Sequence, residues 1–152
     1  DFTTGYKPLK HVSIPFHNNN FPHLIGLHKV NNLSAKKQIS QIKNEVITYN
    51  SIRNHDSFNE IKDRIIYFDF IDKVFINEEV KECIHVSKID KNNRMKLDVV
   101  FLEENSEKIF TLGFRQDYRN KHLFFPTTFY VNRGKKEYTR SKRAKIRTLT
   151  WK

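Results

Sequence analysis

The chain has 152 residues, 28 Lys and Arg against 17 Asp and Glu, a formal charge of +11, and 38% hydrophobic residues including 13 Phe. That is the size of one ordinary domain, with enough Ile, Val, Leu and Phe for one core. No apolar run approaches the ~20 residues a membrane helix needs, and one cysteine, Cys83, cannot close an internal disulfide or form a zinc cluster.

In chain order, residues 6–16 read as extended, with Val12, Ile14 and Phe16 alternating. Asn18-Asn19-Asn20 reads as a turn. Residues 21–27 suit one helical turn, with Pro22 at its first position. Ser34 is placed to cap a helix running to about Thr48, with Leu33, Ile39, Ile42, Val46 and Ile47 roughly on one face. The clearest helix starts at Ser57, where Ser57 and Glu60 have capping-box spacing, and is expected to run to about Phe75. Ile61, Ile65, Phe68 and Asp72 mark its stripe, thickened by Phe58, Ile66, Phe70 and Val74.

After that helix the pattern changes to strands. They are expected at Cys83–Ile89, Lys96–Glu103, Lys108–Arg115, Leu123–Val131 and Lys145–Trp151. The short polar links Asp90–Arg94 and Glu103–Glu107 read as hairpin turns. Helices followed by consecutive hairpin strands predict an α+β fold with an antiparallel sheet of four to five strands. Nothing marks a repeat, a linker or a second domain, so residues 1–152 are expected to form one domain with a basic C-terminal segment over 133–152. Cys83, at an alternate position of an apolar stretch, is expected in the core.

The charge is concentrated. Residues 133–152 hold Arg133, Lys135, Lys136, Arg140, Lys142, Arg143, Lys145, Arg147 and Lys152 against Glu137 alone. With aromatic residues nearby, this favours a surface that follows phosphates over a merely solvated tail. The chain lacks His-Glu-x-x-His, a glycine-rich phosphate loop, a carboxylate cluster of nuclease spacing and Gly-x-Ser-x-Gly, so neither a metal, another cofactor nor a serine nucleophile is expected. Two blocks set polar groups among apolar ones. Phe21-Pro22-His23-Leu24-Ile25-Gly26-Leu27-His28-Lys29 carries two imidazoles and an ammonium, and Phe125-Pro126-Thr127-Thr128-Phe129-Tyr130 carries three hydroxyls. Imidazoles move protons near neutral pH. On an ideal helix His23 and His28 point about 140° apart, unless the backbone turns after Gly26. Arg115, at a strand end, has the fork that grips a phosphate. Strand alternation puts Thr128 and Tyr130 on a polar face suited to a cleft and Thr127 and Phe129 on the other face. Lys121 and His122 precede that strand as further candidate RNA contacts.

These two blocks resemble a branch, common in phages and mobile elements, of the barnase–EndoU–colicin–RelE nuclease superfamily. That branch carries a Phe-x-His-Leu-x-Gly-Leu block early and a Pro-x-Thr-Phe-type block late. The resemblance implies helices followed by a curled four- or five-stranded sheet. It places the family histidine on His23 and the family threonine on Thr127 or Thr128, a choice the short block leaves open.

The combined reading is a metal-independent endoribonuclease toxin of bacterial or phage origin. The RNA's 2′-OH would attack the neighbouring phosphate and leave a 2′,3′-cyclic phosphate. His23 is the candidate acid or base and His28 a second candidate. Arg115, then Lys29, would stabilise charge, and Thr128 or Thr127 with Tyr130 would hold the phosphate. Lys121, His122, Arg140, Lys142, Arg143 and Lys145 would attract RNA, with tRNA the favoured target. An acidic immunity or antitoxin protein is the expected partner, and the bacterial cytoplasm the expected place of action. Met95 is the only methionine, which leaves open a trimmed chain or the C-terminal part of a larger, delivered protein. The alternative is a non-catalytic nucleic-acid-binding module that uses the same basic segment. The two differ in whether His23 and the Thr127–Tyr130 strand must meet in one cleft.

Overall fold

The computed structural model describes residues 1–87, 89, 93–134 and 136–152. Helices are followed by strands, as the residue pattern predicts, but the sheet is larger. Two short strands, β1 (Phe2–Thr4) and β2 (His11–Val12), precede the helices α1 (Asn20–Leu24), α2 (Ala35–Lys43), α3 (Tyr49–Arg53), α4 (Phe58–Ile66) and α5 (Phe70–Phe75). Then come β3 (Glu82–His85), β4 (Val99–Glu104), β5 (Ile109–Gln116), β6 (Phe124–Asn132) and β7 (Lys142–Leu149). The seven strands form one curled sheet in the order β2-β1-β7-β3-β4-β5-β6, each named pair antiparallel. The expected four to five strands are therefore corrected to seven. The two extra ones are two and three residues long, and β1 pairs with a strand more than a hundred residues away, so local periodicity does not reveal them.

The curl brings the two edges of the sheet together. Just past β2, Ser13 makes a parallel bridge to Leu123, just before β6. Its N–H donates to the His122 carbonyl at 2.7 Å, and the Phe124 N–H donates to the Ser13 carbonyl at 2.9 Å. The basic segment also differs from a solvated tail. Lys142–Leu149 is a central strand between β1 and β3, with Ala144 buried and Lys142, Arg143 and Lys145 exposed.

The long helix expected from Ser57 to Phe75 is two helices, broken at residues 67–69. Ile61 and Phe70 are both fully buried, yet nine residues apart they would lie on opposite faces of a straight helix. The break lets Ile61 pack with Ile25, Leu27, Ile52 and Phe58, while Phe70 enters the main core under the sheet. There Phe70 stacks on Phe110 and Phe129 at 5.7 and 5.9 Å. The Ser57–Glu60 capping box does not form: Ser57 makes no side-chain cap, and Glu60 is taken by Lys29 at 2.8 Å. Ser34 does cap α2, accepting from the Lys37 N–H. That helix stops at Lys43 because Glu45 turns left-handed, with φ 58°.

On the other side of the sheet a smaller cluster forms from Ile84, Val86, Leu97, Val100 and Tyr138. Cys83 lies in the main core with no exposed surface. Its surroundings push the thiol pKa up to about 12 through desolvation, so it is a packing residue and not a thiolate. The expected Asp90–Arg94 turn and the end of the Cys83–Ile89 strand fall partly on residues 88 and 90–92, and the Lys135 assignment on residue 135, all outside the described residues. Among the described residues no helix is long and apolar enough to cross a membrane.

Candidate functional site

The first sequence block folds as a short helix, a turn and a single 3-10 turn. Its α1 helix lies along β6, tied to it through aromatic edges. Phe21 meets Phe68 at 5.1 Å between centroids, and Phe68 meets Phe129 of β6 at 6.3 Å. Gly26 follows, with φ 80° and ψ 20°, a left-handed conformation that costs other residues free energy. It reverses the backbone before the 3-10 turn Leu27–Lys29. A straight helix would splay His23 and His28 apart. The turn instead stacks their rings, centroids 5.2 Å apart and planes 26° from parallel. Pro22 and Leu24 are buried on either side of His23, and Leu27 beside His28. Both imidazoles are thus held from below while facing solvent.

The second block meets them through its backbone. His23 Nε2 lies 2.7 Å from the Thr127 carbonyl oxygen. A carbonyl can only accept, so Nε2 carries the hydrogen and Nδ1 is the ring atom left for chemistry. Thr127 can reach out because β6 bulges there. Gly113 pairs with Thr128 and Phe114 with Pro126, which leaves Thr127 as the extra residue. A bulge bends its strand and re-aims the groups it carries. The Thr127 hydroxyl turns back to the Phe125 carbonyl at 3.0 Å, so its carbonyl, and not its hydroxyl, serves the histidine.

Arg64 of α4 completes the group and is the residue that sequence reasoning missed. Its Cδ would lie 3.3 Å from a Cβ added at Gly26, so the guanidinium stem packs under the turn that joins the two histidines. The side chain is half-buried and makes no hydrogen bond or ion pair to another described residue. Burial lowers its pKa, while the Glu60 carboxylate and the Tyr130 phenol act the other way. Arg64 in turn acts on His28, whose pKa lies below the usual imidazole range. Desolvation is the main cause, followed by the neighbouring His23, Arg64 and Lys29. The local sequence Lys62-Asp63-Arg64 gave no sign of this role, since its charges look like those of any solvated helix face.

The other candidates are placed as follows. Lys29 pairs with Glu60 at the rim of the histidine pair. Thr128 and Tyr130 do not line an open polar face. Thr128 is buried, and a Cβ built at Gly113 would touch both its Cγ2 and the Leu97 side chain. Tyr130 donates to the Glu137 carboxylate at 2.5 Å and lies 3.2 Å from the Tyr138 hydroxyl. Burial, then the Glu137 bond, raises its pKa, which makes it a neutral structural phenol. The smaller apolar cluster covers the face that alternation had left polar. Arg115 is likewise committed: its Nε and Nη2 both donate to the Met95 carbonyl, at 2.9 and 2.5 Å. His122 sits at the seam that closes the sheet, its Nδ1 3.3 Å from the His11 carbonyl. Lys121 is exposed in the same turn, its carbonyl accepting from Gln116 Nε2. Arg140 is exposed before β7, and Arg143 lies 3.8 Å from Glu82. Lys142 and Lys145 are exposed on β7. β3, β4 and β5 separate this strand from β6 along the sheet. Among the described residues, no three or more His, Cys, Asp or Glu side chains group closely enough to hold a metal ion.

A family model described as phage-Barnase-EndoU-ColicinE5/D-RelE like nuclease4 matches residues 1–151. Comparison with curated proteins and with solved structures returns no match. The chain belongs to this phage nuclease family, as the two sequence blocks implied.

Proposed function

We propose that this family member is a metal-independent endoribonuclease acting as a toxin, with His23, His28 and Arg64 as its working groups. The observation that carries the reading is the meeting of the two sequence blocks: His23 stacks on His28 and rests on the Thr127 carbonyl. A module that only binds nucleic acid has no need of that arrangement.

In the reaction a base removes the 2′ proton of one nucleotide. The O2′–P bond forms, the P–O5′ bond breaks, and an acid protonates the departing O5′. The products are a 2′,3′-cyclic phosphate and a 5′-OH. Two imidazoles at stacking distance resist carrying two charges at once. Desolvation and the nearby cations favour neutral His28, which suits it to take the 2′ proton. His23 presents Nδ1 to the leaving oxygen, its Nε2–H held by Thr127. Arg64 has donors free of other described residues, packs beside the histidine turn, and would stabilise the phosphate charge that grows in the transition state, help that is worth most in a partly dry site. Arg115, Thr128 and Tyr130 support the strand and the turn beside it. Lys142, Arg143 and Lys145 on β7, with Arg140 before it, attract the RNA chain at a distance. tRNA is the favoured substrate. An acidic immunity or antitoxin protein would protect the producing cell, and the target would be met in a bacterial cytoplasm, whether the toxin is made there or delivered.

The test is cleavage of total tRNA in excess EDTA by the parent and by His23→Ala. The parent is expected to cut and to leave cyclic-phosphate ends. His23→Ala should lose ~10²–10⁴ in rate while still binding RNA. Cleavage that stops with EDTA and returns with magnesium, or a folded His23→Ala protein as active as the parent, refutes the proposal.

A further inference from the structure

β6 carries three phenylalanines, and two of them behave as core residues: Phe124 is 1% exposed and Phe129 0%. Phe125 is 38% exposed. It precedes by two residues the bulged Thr127 whose carbonyl holds His23, roughly 7 Å along the strand. Its own carbonyl accepts the Thr127 hydroxyl, so the two positions are tied. Directly across the sheet, Arg115 pairs in register with Phe125, and its guanidinium is pinned by two hydrogen bonds to the Met95 carbonyl. Arg115 is therefore a cation on the neighbouring strand, held in place beside the Phe125 position. In the β5–β6 turn Tyr118 is 82% exposed, with Arg119 5.0 Å from its ring centroid.

Phe125 thus offers part of an aromatic face to solvent two residues from the bulge that holds His23. Proteins that hold single-stranded nucleic acid use such rings as stacking platforms, because every base offers a π-face. Resting on the ribonuclease reading above, we infer that Phe125 is a base-stacking platform. It takes the nucleobase of a single-stranded RNA next to the phosphate cleaved at His23 and His28. The ligand is an unpaired base and not a duplex, since a base can reach the ring only when it is out of its helix. Arg115 then acts beside the ring as a fixed cation near the adjoining phosphate, and not at the reacting one. Discrimination among RNA sites follows from which strands can be unpaired at this position, more than from hydrogen bonds to base edges.

The experiment uses a short single-stranded RNA, 2′-O-methylated so that it is not cut, with 2-aminopurine placed at successive positions. Binding and 2-aminopurine fluorescence are measured for the parent, Phe125→Leu and Phe125→Tyr, with thermal midpoints recorded for all three. The parent should quench the probe strongly at one position. Phe125→Leu, which keeps apolar bulk without a ring, should lose that quenching and bind about tenfold more weakly, within the range seen when a stacking aromatic is removed. Phe125→Tyr should retain both. Equal affinity and quenching for parent and Phe125→Leu overturns the platform while leaving the nuclease reading intact. Weakening of both variants in step with lowered thermal midpoints also overturns it, as a packing effect. A parent that neither binds nor cuts RNA removes the ribonuclease reading itself.

Discussion

Gly26→Ala isolates the turn that makes two histidines into a pair. Two separate costs can be worked out. The backbone at Gly26 sits at φ 80°, where an L residue with a Cβ loses about 1–2 kcal/mol. The new Cβ would also lie 2.8 Å from Ile61 Cγ2. Ile61 is fully buried and cannot swing out, so overpacking adds about 1–3 kcal/mol. The expected loss is therefore about 2–5 kcal/mol, read by denaturant unfolding with an unchanged slope. Ile61→Leu separates the terms, because leucine has no Cγ2. In that background the steric part should vanish and only the backbone part remain, giving a coupling of at least ~1 kcal/mol between the two sites. Gly26→Asn, a residue that tolerates the left-handed region better, should show the opposite split. Any folded fraction of Gly26→Ala should cut RNA much more slowly, because His28 moves relative to His23. A Gly26→Ala protein within ~0.5 kcal/mol of the parent, or a penalty that ignores the residue at position 61, would show that the turn is not held as described.

Arg64→Gln should leave RNA affinity within a few-fold and lower the saturated cleavage rate by ~10²–10³, as loss of a charge-stabilising donor does. It should also raise the acid limb of the pH–rate profile, because one cause of the low His28 pKa is removed; a limb that stays in place, or a full rate, removes Arg64 from the site. In the folded chain His28 binds its proton less readily than in the unfolded one, so its contribution to stability is present above the usual imidazole pKa. That contribution is lost as pH falls through the folded value, and His28→Gln should abolish that part of the pH dependence of unfolding. Neutralising Arg140, Lys142, Arg143 and Lys145 together should reduce the log–log salt slope of RNA binding by roughly 0.7 per lost contact and change the saturated rate much less. An unchanged slope means that β7 does not touch RNA. Cys83 should stay unlabelled by thiol reagents in the native state and react only at the rate of unfolding; rapid labelling of the folded chain would contradict its place in the core.

Much of the sheet was legible because its strands are read by alternation. Phe110, Leu112 and Phe114 alternate along β5 and enter the main core, as does Phe129 of β6. β1 and β2 were not legible, since two or three residues carry no period and their partners lie far along the chain. The break between α4 and α5 was hidden because a single apolar stripe looks continuous until two separate cores compete for it. His23 was readable as a candidate from its block, and the structure sets it against the late block at the Thr127 carbonyl. The orientation of His28 hinged on one backbone angle at Gly26, which sequence flags as possible without fixing it. Thr127 contributes its carbonyl, a group every residue has, so no choice between two threonine hydroxyls could have found it. Arg64 lay among other helix charges, and only the fold shows which of them comes under the turn. Thr128 and Tyr130 were placed on an apparently open face, and Arg115 at a free strand end, because the cover over them comes from segments without regular structure, Met95–Leu97 and Glu137–Tyr138.

The position of β7 has a consequence for how the chain comes into being. It follows the other six strands in sequence, yet it lies between β1 and β3 and joins the β1–β2 hairpin to the β3–β6 meander. A ribosome must therefore release residues through Leu149 before the ring of strands can close. Until then both sheet halves present unpaired edges, and assembly waits on contacts spanning nearly the whole chain, a topology that folds slowly. Such an order of events delays maturation until residues through Leu149 have been made.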